Sequence, residues 1–396
     1  MNTTAVCGFD LTGRMLWRQS FPGRPYPPRL TAENVWIPHH GSFGRFVVSA
    51  VNTAGKRVNT VMLERVPFED LGAFVLLPDG FVALWLPAVP GHVLPRNQFG
   101  HLARWLPTER GRTTPRRRDA RLVRYDEAGG TRWSISLPLR ELFVPGAVVI
   151  TVKTGKERPS PPLRPRTLEA GYPDPLLVSG SRVAATVADY STGIAVTFFV
   201  DTETGQLIDE TVPGPSHNKA IVGPEKFLIG FAGYGEVMTA QCDATGAVTR
   251  LWPTHAQMLV DNEGVISGPE SENVLPSRSQ FVRFGSDGGV QRGPPLSGYY
   301  TTYPALDSDG TAVFWRDGAL RAVDADLRVR ELHSTRHGQH AVPSRVLLLE
   351  DGHVVFALND ELLILREPGL RKLSDGIWPC GDGGLRGNPV KFCRSA

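Results

Sequence analysis

The chain has 396 residues, 43 basic against 40 acidic side chains for a net charge of +3, and 41% hydrophobic content. This balance is that of an ordinary globular protein and excludes collagen, coiled coil and wholesale disorder. The longest apolar stretch, residues 73–89, is cut by Pro78, Asp79 and Gly80, so no segment reaches the roughly 20 apolar residues of a membrane-crossing helix.

The first ten residues contain neither a basic nor an apolar segment, so no secretory signal is expected and the cytoplasm is the expected location. Cys7, Cys242, Cys380 and Cys393 stand at no metal-ligand or redox spacing, and a disulfide framework is not expected. The 42 glycines and 33 prolines are scattered through the chain, which implies many turns between short elements.

Taken in chain order, a turn of the form apolar-Asp-x-x-Gly recurs. It runs from Phe9 to Gly13 with Trp17 following, from Val51 to Gly55 with Asn52 in the acidic place, and from Tyr125 to Gly129 with Trp133 following. It returns from Val200 to Gly205, Cys242 to Gly246 and Phe284 to Gly288, then in degenerate form at 323–327 and 366–369. The eight copies end at positions 13, 55, 129, 205, 246, 288, 327 and 369, spaced 42, 74, 76, 41, 42, 39 and 42 apart. The two long intervals therefore hold insertions, assigned to residues 90–118 and 144–170.

Upstream of most copies an apolar run is broken by an acidic or glycine turn, as at 77–82, 260–265, 306–310 and 349–354. Each unit thus reads strand, tight turn, strand, variable loop, strand, glycine turn, strand. Helical periodicity is nowhere sustained. A period near 42 residues with four short antiparallel strands predicts an all-β chain forming one β-propeller over residues 1–396. Without the two insertions 340 residues remain, or 42.5 per blade for eight blades and 48.6 for seven. Eight fits the spacing better, with seven as the alternative. In the eight-bladed reading residues 5–20 supply the outer pair of the closing blade and the C-terminal tail, 377–393, its inner pair, which would bring Cys393 beside Cys7.

The turns that begin at Phe9, Tyr125 and Val200 resemble the repeats of pyrroloquinoline-quinone-type, or quinoprotein-like, propellers, whose blades carry Asp-x-x-Thr-Gly-x-x-x-Trp. The resemblance spans about five of the eight units. It implies that glycine makes the turn and tryptophan packs between blades, and it bears on fold rather than activity. Quinone dehydrogenases of that superfamily use a calcium site and a vicinal cysteine pair, and this sequence has neither, so no cofactor is expected.

In a four-stranded meander the first and third turns share one end of the blade, while the second turns and the blade-to-blade connections share the other. The first end here is tight and regular; the second collects the irregular loops, where binding residues concentrate. Nine of the ten histidines map to that second end, so it is the expected functional face. His39 and His40 fall in a second turn, and His217, His255, His337 and His340 in connections. His217 and His255 stand at the same phase of adjacent blades and are expected near the rim of the central channel as neighbours. The same end carries Tyr172, Tyr190, Tyr234, Glu270, Glu272, Tyr299 and Tyr300, and tyrosines there suit ligand or protein contact.

Both insertions are basic, with net charges of +6 and +3, so the remaining propeller is about −6. Trp105, Arg116, Arg117 and Arg118 lie in the first. A basic crown on an acidic body suits a protein or another acidic partner. Nucleic acid is not the expected partner, since no interleaved aromatic pattern supports base stacking. No local catalytic motif is present. The expectation is a monomeric, non-catalytic binding or scaffold propeller working through the insertion-bearing face. The alternative is a propeller lyase or hydrolase with acid-base groups from His217, His255, His337 and His340. Whether a metal binds these histidines is left open.

Overall fold

The computed structural model describes residues 4–23, 25–41, 45–67, 69–87, 119–138, 149–150, 157–158, 168–171, 174–189, 195–211, 216–232, 237–270, 279–296, 303–334, 345–358 and 361–391. Among these residues there is no α-helix, and strands follow one another as antiparallel meanders. The first unit is a hairpin of Thr4–Phe9 and Met15–Phe21. Five four-stranded sheets span 29–63, 69–136, 216–252, 259–295 and 305–334, while the last, 347–366, has three strands. Strands from Leu176–Ser179 to Leu207–Glu210 form a further meander, extended by Leu168–Ala170 and Val390–Lys391.

The recurring turns form because their side chains satisfy them locally. Asp10 Oδ1 accepts the N–H groups of Thr12 at 2.9 Å and Arg14 at 3.0 Å, and Asp126, Asp243 and Asp324 repeat this bond pair. The glycine that ends the turn takes a left-handed φ, 77° at Gly55, which a residue with a Cβ adopts only at a cost. The second role of this glycine is to let the neighbouring sheet approach. A Cβ on Gly55 would lie 2.4 Å from Trp17 Cβ, and one on Gly129 would lie 2.3 Å from the Met62 carbonyl oxygen. The expected tryptophan packing is present: Trp133 lies against Gly205 and donates from Nε1 to the Thr202 carbonyl at 2.8 Å. Trp252 makes the same bond to Gly285 of the next sheet, at 2.9 Å.

Apolar cores sit between successive sheets. Phe21, Ile37 and Val51 join the hairpin to the 29–63 sheet, and Phe46, Leu71 and Trp85 join that sheet to the next. Leu84, Leu122, Val183 and Phe198 continue the series, and Trp315 and Phe356 end it between the last two sheets. Each fully buried side chain of this size contributes about 1.5–3 kcal/mol. In each four-stranded sheet the first strand is one edge and the fourth the other, and the fourth is largely solvent-facing, with exposure alternating along Thr131–Ser136.

The C-terminal segment departs from the sequence expectation. It forms no pair with Thr4–Phe9; it runs along the inner edges of the other sheets. Leu373 N–H donates to the Leu348 carbonyl, Leu306 exchanges bonds with Pro379 and Ser374, and Trp378 and Val260 bond each other in both directions at 2.8 Å. Further on, Leu30 N–H donates to Arg386 O at 2.9 Å, Asn388 bonds Leu76 N and O, and Val390–Lys391 pairs in parallel with Val178 and Ser179. The composition explains the difference. Gly376, Pro379, Gly381, Gly383, Gly384, Gly387 and Pro389 preclude a long ladder strand, so the segment makes short bridges to many edges. Cys7, Cys242 and Cys380 are free thiols; Cys393 lies outside the described residues.

Candidate functional site

Charged side chains gather where the inner strands begin, at the end that carries the second turns and connections. Arg29 enters from Arg29–Leu30, Asp174 from the residues before Leu176–Ser179, Lys219 from Ser216–Gly223, and Arg345 from the residues before Leu347–Leu348. The C-terminal segment supplies Asp382. Its carboxylate is 3.7 Å from Arg29 Nη1 and 3.5 Å from Arg345 Nη1. Arg29 also donates from Nε to the Phe74 carbonyl at 2.9 Å and from Nη1 to the Gly387 carbonyl. Arg345 donates to the carbonyls of Gly381, Gly384 and Leu385. Lys219 Nζ donates to the Gly171 carbonyl at 3.0 Å.

Arg29, Asp174 and Lys219 are buried, at 8%, 7% and 3% exposure, while Arg345 and Asp382 are partly exposed. Burial, and then the adjacent Asp382 carboxylate, push the Asp174 carboxyl well above the usual range against the pull of Arg29 and Lys219. Asp382 goes the other way. Burial opposes its ionisation, but the hydrogen bond from Asp174 and the two guanidinium groups hold it low. The two carboxyls are thus displaced in opposite directions. Burial lowers Lys219 to about 8, with Asp174 opposing. Asp174, Asn218, Lys219, Gln257, Tyr303 and Trp378 enclose a small polar cavity beside the pair.

The histidines expected from sequence behave individually. His39 Nε2 is 2.9 Å from Ser49 Oγ and its Nδ1 is 3.0 Å from the His40 carbonyl, while its ring packs on Phe21 at 4.6 Å between centroids. Burial holds its imidazole below the ordinary histidine range. His40 Nε2 lies 3.1 Å from the Tyr26 hydroxyl and 3.4 Å from Asp70 Oδ1, and that hydroxyl donates to Asp70. Burial and then the bond to Asp70 push the Tyr26 phenol up.

His255 is reached by the residue that follows His217. Asn218 donates from Nδ2 to His255 Nε2 at 3.2 Å and to the Ala256 carbonyl at 3.1 Å. A left-handed φ of 27° at Asn218 and a register shift between His217 and Lys219 put that amide in position. His217 is in the strand, opposite Gly230. Glu270 accepts from Thr254 Oγ1 at 2.6 Å, Gln280 N at 3.1 Å and Arg292 Nη2 at 3.4 Å. Trp105, Arg116, Arg117, Arg118, Tyr172, Tyr190, Tyr234, Glu272, Tyr299, Tyr300, His337 and His340 lie outside the described residues. No cluster of three or more histidine, cysteine or carboxylate side chains able to hold a metal occurs among the described residues.

No protein-family model matches the sequence, and no curated protein matches it. By structure, Sqt1 of Saccharomyces cerevisiae is similar at a TM-score of 0.54 and 8% identity, over 94% of this chain and 91% of that one. The Dos1 propeller is similar at a TM-score of 0.52 and 10% identity, over 93% and 83%. The fold is that of a β-propeller. BamB from Moraxella catarrhalis matches more loosely, at a TM-score of 0.45 and 14% identity over 88% and 87%. At these identities the likeness bears on fold alone.

The C-terminal segment lies along the first-strand edges of the sheets, the edges that face the central channel in propellers. At the first-turn end the propeller has an open bowl of about 1090 Å³, walled by Thr31, Pro78, Pro224 and Asn262 and floored by the segment, including Asp375 and Arg386. The tight, regular turns expected at that end therefore rim a concave surface. No helix among the described residues is long and apolar enough to cross a membrane.

Proposed function

We propose that this chain is a non-catalytic, eight-bladed binding propeller whose protein partner docks on the end that carries residues 90–118 and 144–170. The observation that carries the reading is the occupied channel. Propeller enzymes draw on groups around an open mouth, whereas here the inner edges are bonded to the chain's own tail, His39 is saturated, and His255 is buried against Asn218. Charge supports the choice of face: the insertions are net +6 and +3 on a body of about −6, which steers an acidic protein surface toward that end.

In this reading the hairpin of Thr4–Phe9 and Met15–Phe21 is the outer half of the closing blade. Residues 381–387, held by Arg345 on one side and by Arg29 and Leu30 on the other, take the place of its inner strands. The test is capture of partners from the native host by wild-type chain and by the charge-reversed variant Arg116→Glu, Arg117→Glu, Arg118→Glu. The reading expects a salt-sensitive partner that the variant loses at unchanged thermal stability. Turnover of a small substrate, or capture indifferent to the reversal, would overturn it.

A further inference from the structure

The open bowl at the first-turn end takes no part in the binding reading above, and its lining is chemically uneven. Its floor is the C-terminal segment, which brings two cations there. Lys391 is half-buried, and its Nζ donates to the carbonyl of Gly376, another residue of the bowl, at 3.3 Å. Arg386 is exposed, and its own carbonyl, accepting from Leu30 N at 2.9 Å, fixes the backbone at that point. Neither side chain is within ion-pair distance of a carboxylate among the described residues. Asp375, the one carboxylate of the lining, is 93% exposed, stands 4.0 Å from Lys372, and reaches Lys391 only through space.

Much of the remaining lining is apolar. Leu76, Leu77 and Leu373 are buried in the wall, Pro78 and Pro224 are exposed at the rim, and Leu385 is 39% exposed on the floor. Apolar walls with a few placed polar groups are the ordinary form of a small-molecule site, and the bowl's volume of about 1090 Å³ stands at the upper end of the roughly 300–1,000 Å³ that such sites span. The carboxylates of the turns outside it are committed within the fold. Asp79, next to Pro78, holds Arg124 and Arg132; Glu225, next to Pro224, accepts from Ser181; Asp261, next to Asn262, accepts from two N–H groups of its own turn. They do not line the bowl, but their charge stands around its mouth and opposes a polyanion.

We propose that the bowl binds a small organic monoanion, a carboxylate on a flat apolar body, with its charged group at Lys391 and Arg386 and its body on Leu385, Ile377 and the prolines of the rim. Each part of the lining selects one feature of that ligand. The two cations of the floor offer charge-assisted hydrogen bonds to a carboxylate, the turn carboxylates hold the ligand to a single negative charge, and the exposed leucine and prolines take up its apolar surface. The site lies at the opposite end from the second turns and connections, so it does not depend on the partner reading.

Fluorescence titration of the folded full chain with anilinonaphthalene sulfonate, an apolar bicycle carrying one anionic group, tests it against N-phenyl-naphthylamine, the same skeleton without the charge. The wild type should bind the anion at a single site about tenfold more tightly than the neutral analogue; naphthoate should displace it and inorganic triphosphate should not. Lys391→Met combined with Arg386→Gln should remove that preference, weakening the anion about tenfold and leaving the neutral analogue unchanged. Arg386→Gln alone, at an exposed side chain, keeps the fold and should weaken the anion severalfold, while Arg14→Gln, at an exposed turn of the hairpin, should change nothing. Absence of binding to the wild type, equal affinity for the charged and neutral probes, displacement by triphosphate rather than naphthoate, or unchanged anion affinity in folded Arg386→Gln would overturn the proposal.

Discussion

The turn glycines offer a test in which backbone strain and sheet-to-sheet packing separate. Gly13, Gly55 and Gly129 close equivalent turns with φ of 82°, 77° and 89°, so alanine at each suffers the same left-handed penalty, roughly 1–2 kcal/mol. Their surroundings differ. A Cβ on Gly13 meets nothing within 4 Å, one on Gly55 meets Trp17 Cβ at 2.4 Å, and one on Gly129 meets the Met62 carbonyl at 2.3 Å. Overpacking of that kind adds about 1–3 kcal/mol. Gly13→Ala should therefore cost about 1 kcal/mol, and Gly55→Ala and Gly129→Ala about 3 kcal/mol or more. Urea unfolding with comparison of midpoints at constant slope reads the difference. Equal costs at the three sites, or a Gly13→Ala variant as damaged as Gly55→Ala, would refute the claim that each later turn seats on the outer strand of the preceding sheet.

Other outcomes follow from the same geometry. Asp382→Ala removes a partly exposed carboxylate from between Arg29 and Arg345 and should cost on the order of 1 kcal/mol; a thermal scan should show a modestly lowered midpoint. Glu69→Gln weakens a buried bidentate pair, with Arg121 Nε at 3.0 Å and Nη2 at 2.8 Å, and should cost about 1.5–3 kcal/mol by denaturant titration. Deleting residues 95–117 should leave the unfolding midpoint in place and abolish partner capture, and a collapse of stability would show that the segment is structural.

The repeat was legible because its chemistry is local. Asp10, Thr12 and Gly13 satisfy one another within five residues, and Trp17 and Trp133 announce the packing of the next sheet, so spacing alone exposed the unit. Trp252 makes the same contact four positions beyond Val248 and was missed because it sits outside the expected offset. The channel was not legible. The bonds of residues 373–391 reach partners as distant in sequence as Leu30 and Leu76, and no period marks them. The charged cluster was hidden for a related reason. Arg29, Asp174, Lys219 and Asp382 are each a lone charge in an unremarkable loop or strand, and only convergence on the axis joins them. One trace did exist: Lys219 directly precedes the apolar run Ala220, Ile221, Val222, a charge at the mouth of a buried strand. The contact from Asn218 to His255 depends on a left-handed φ and a register shift that no sequence spacing announces.

The account rests on the C-terminal segment lying along the inner edges of the sheets. Amide exchange at Leu30, Leu76, Val178 and Gly180 addresses that directly, because these N–H groups donate to Arg386 O, Asn388 Oδ1, Pro389 O and Lys391 O. Removal of residues 384–396 should make those four amides exchange rapidly while Ala185 and Phe198, paired within their own sheet, stay protected. Unchanged protection at the four sites after truncation would contradict the account.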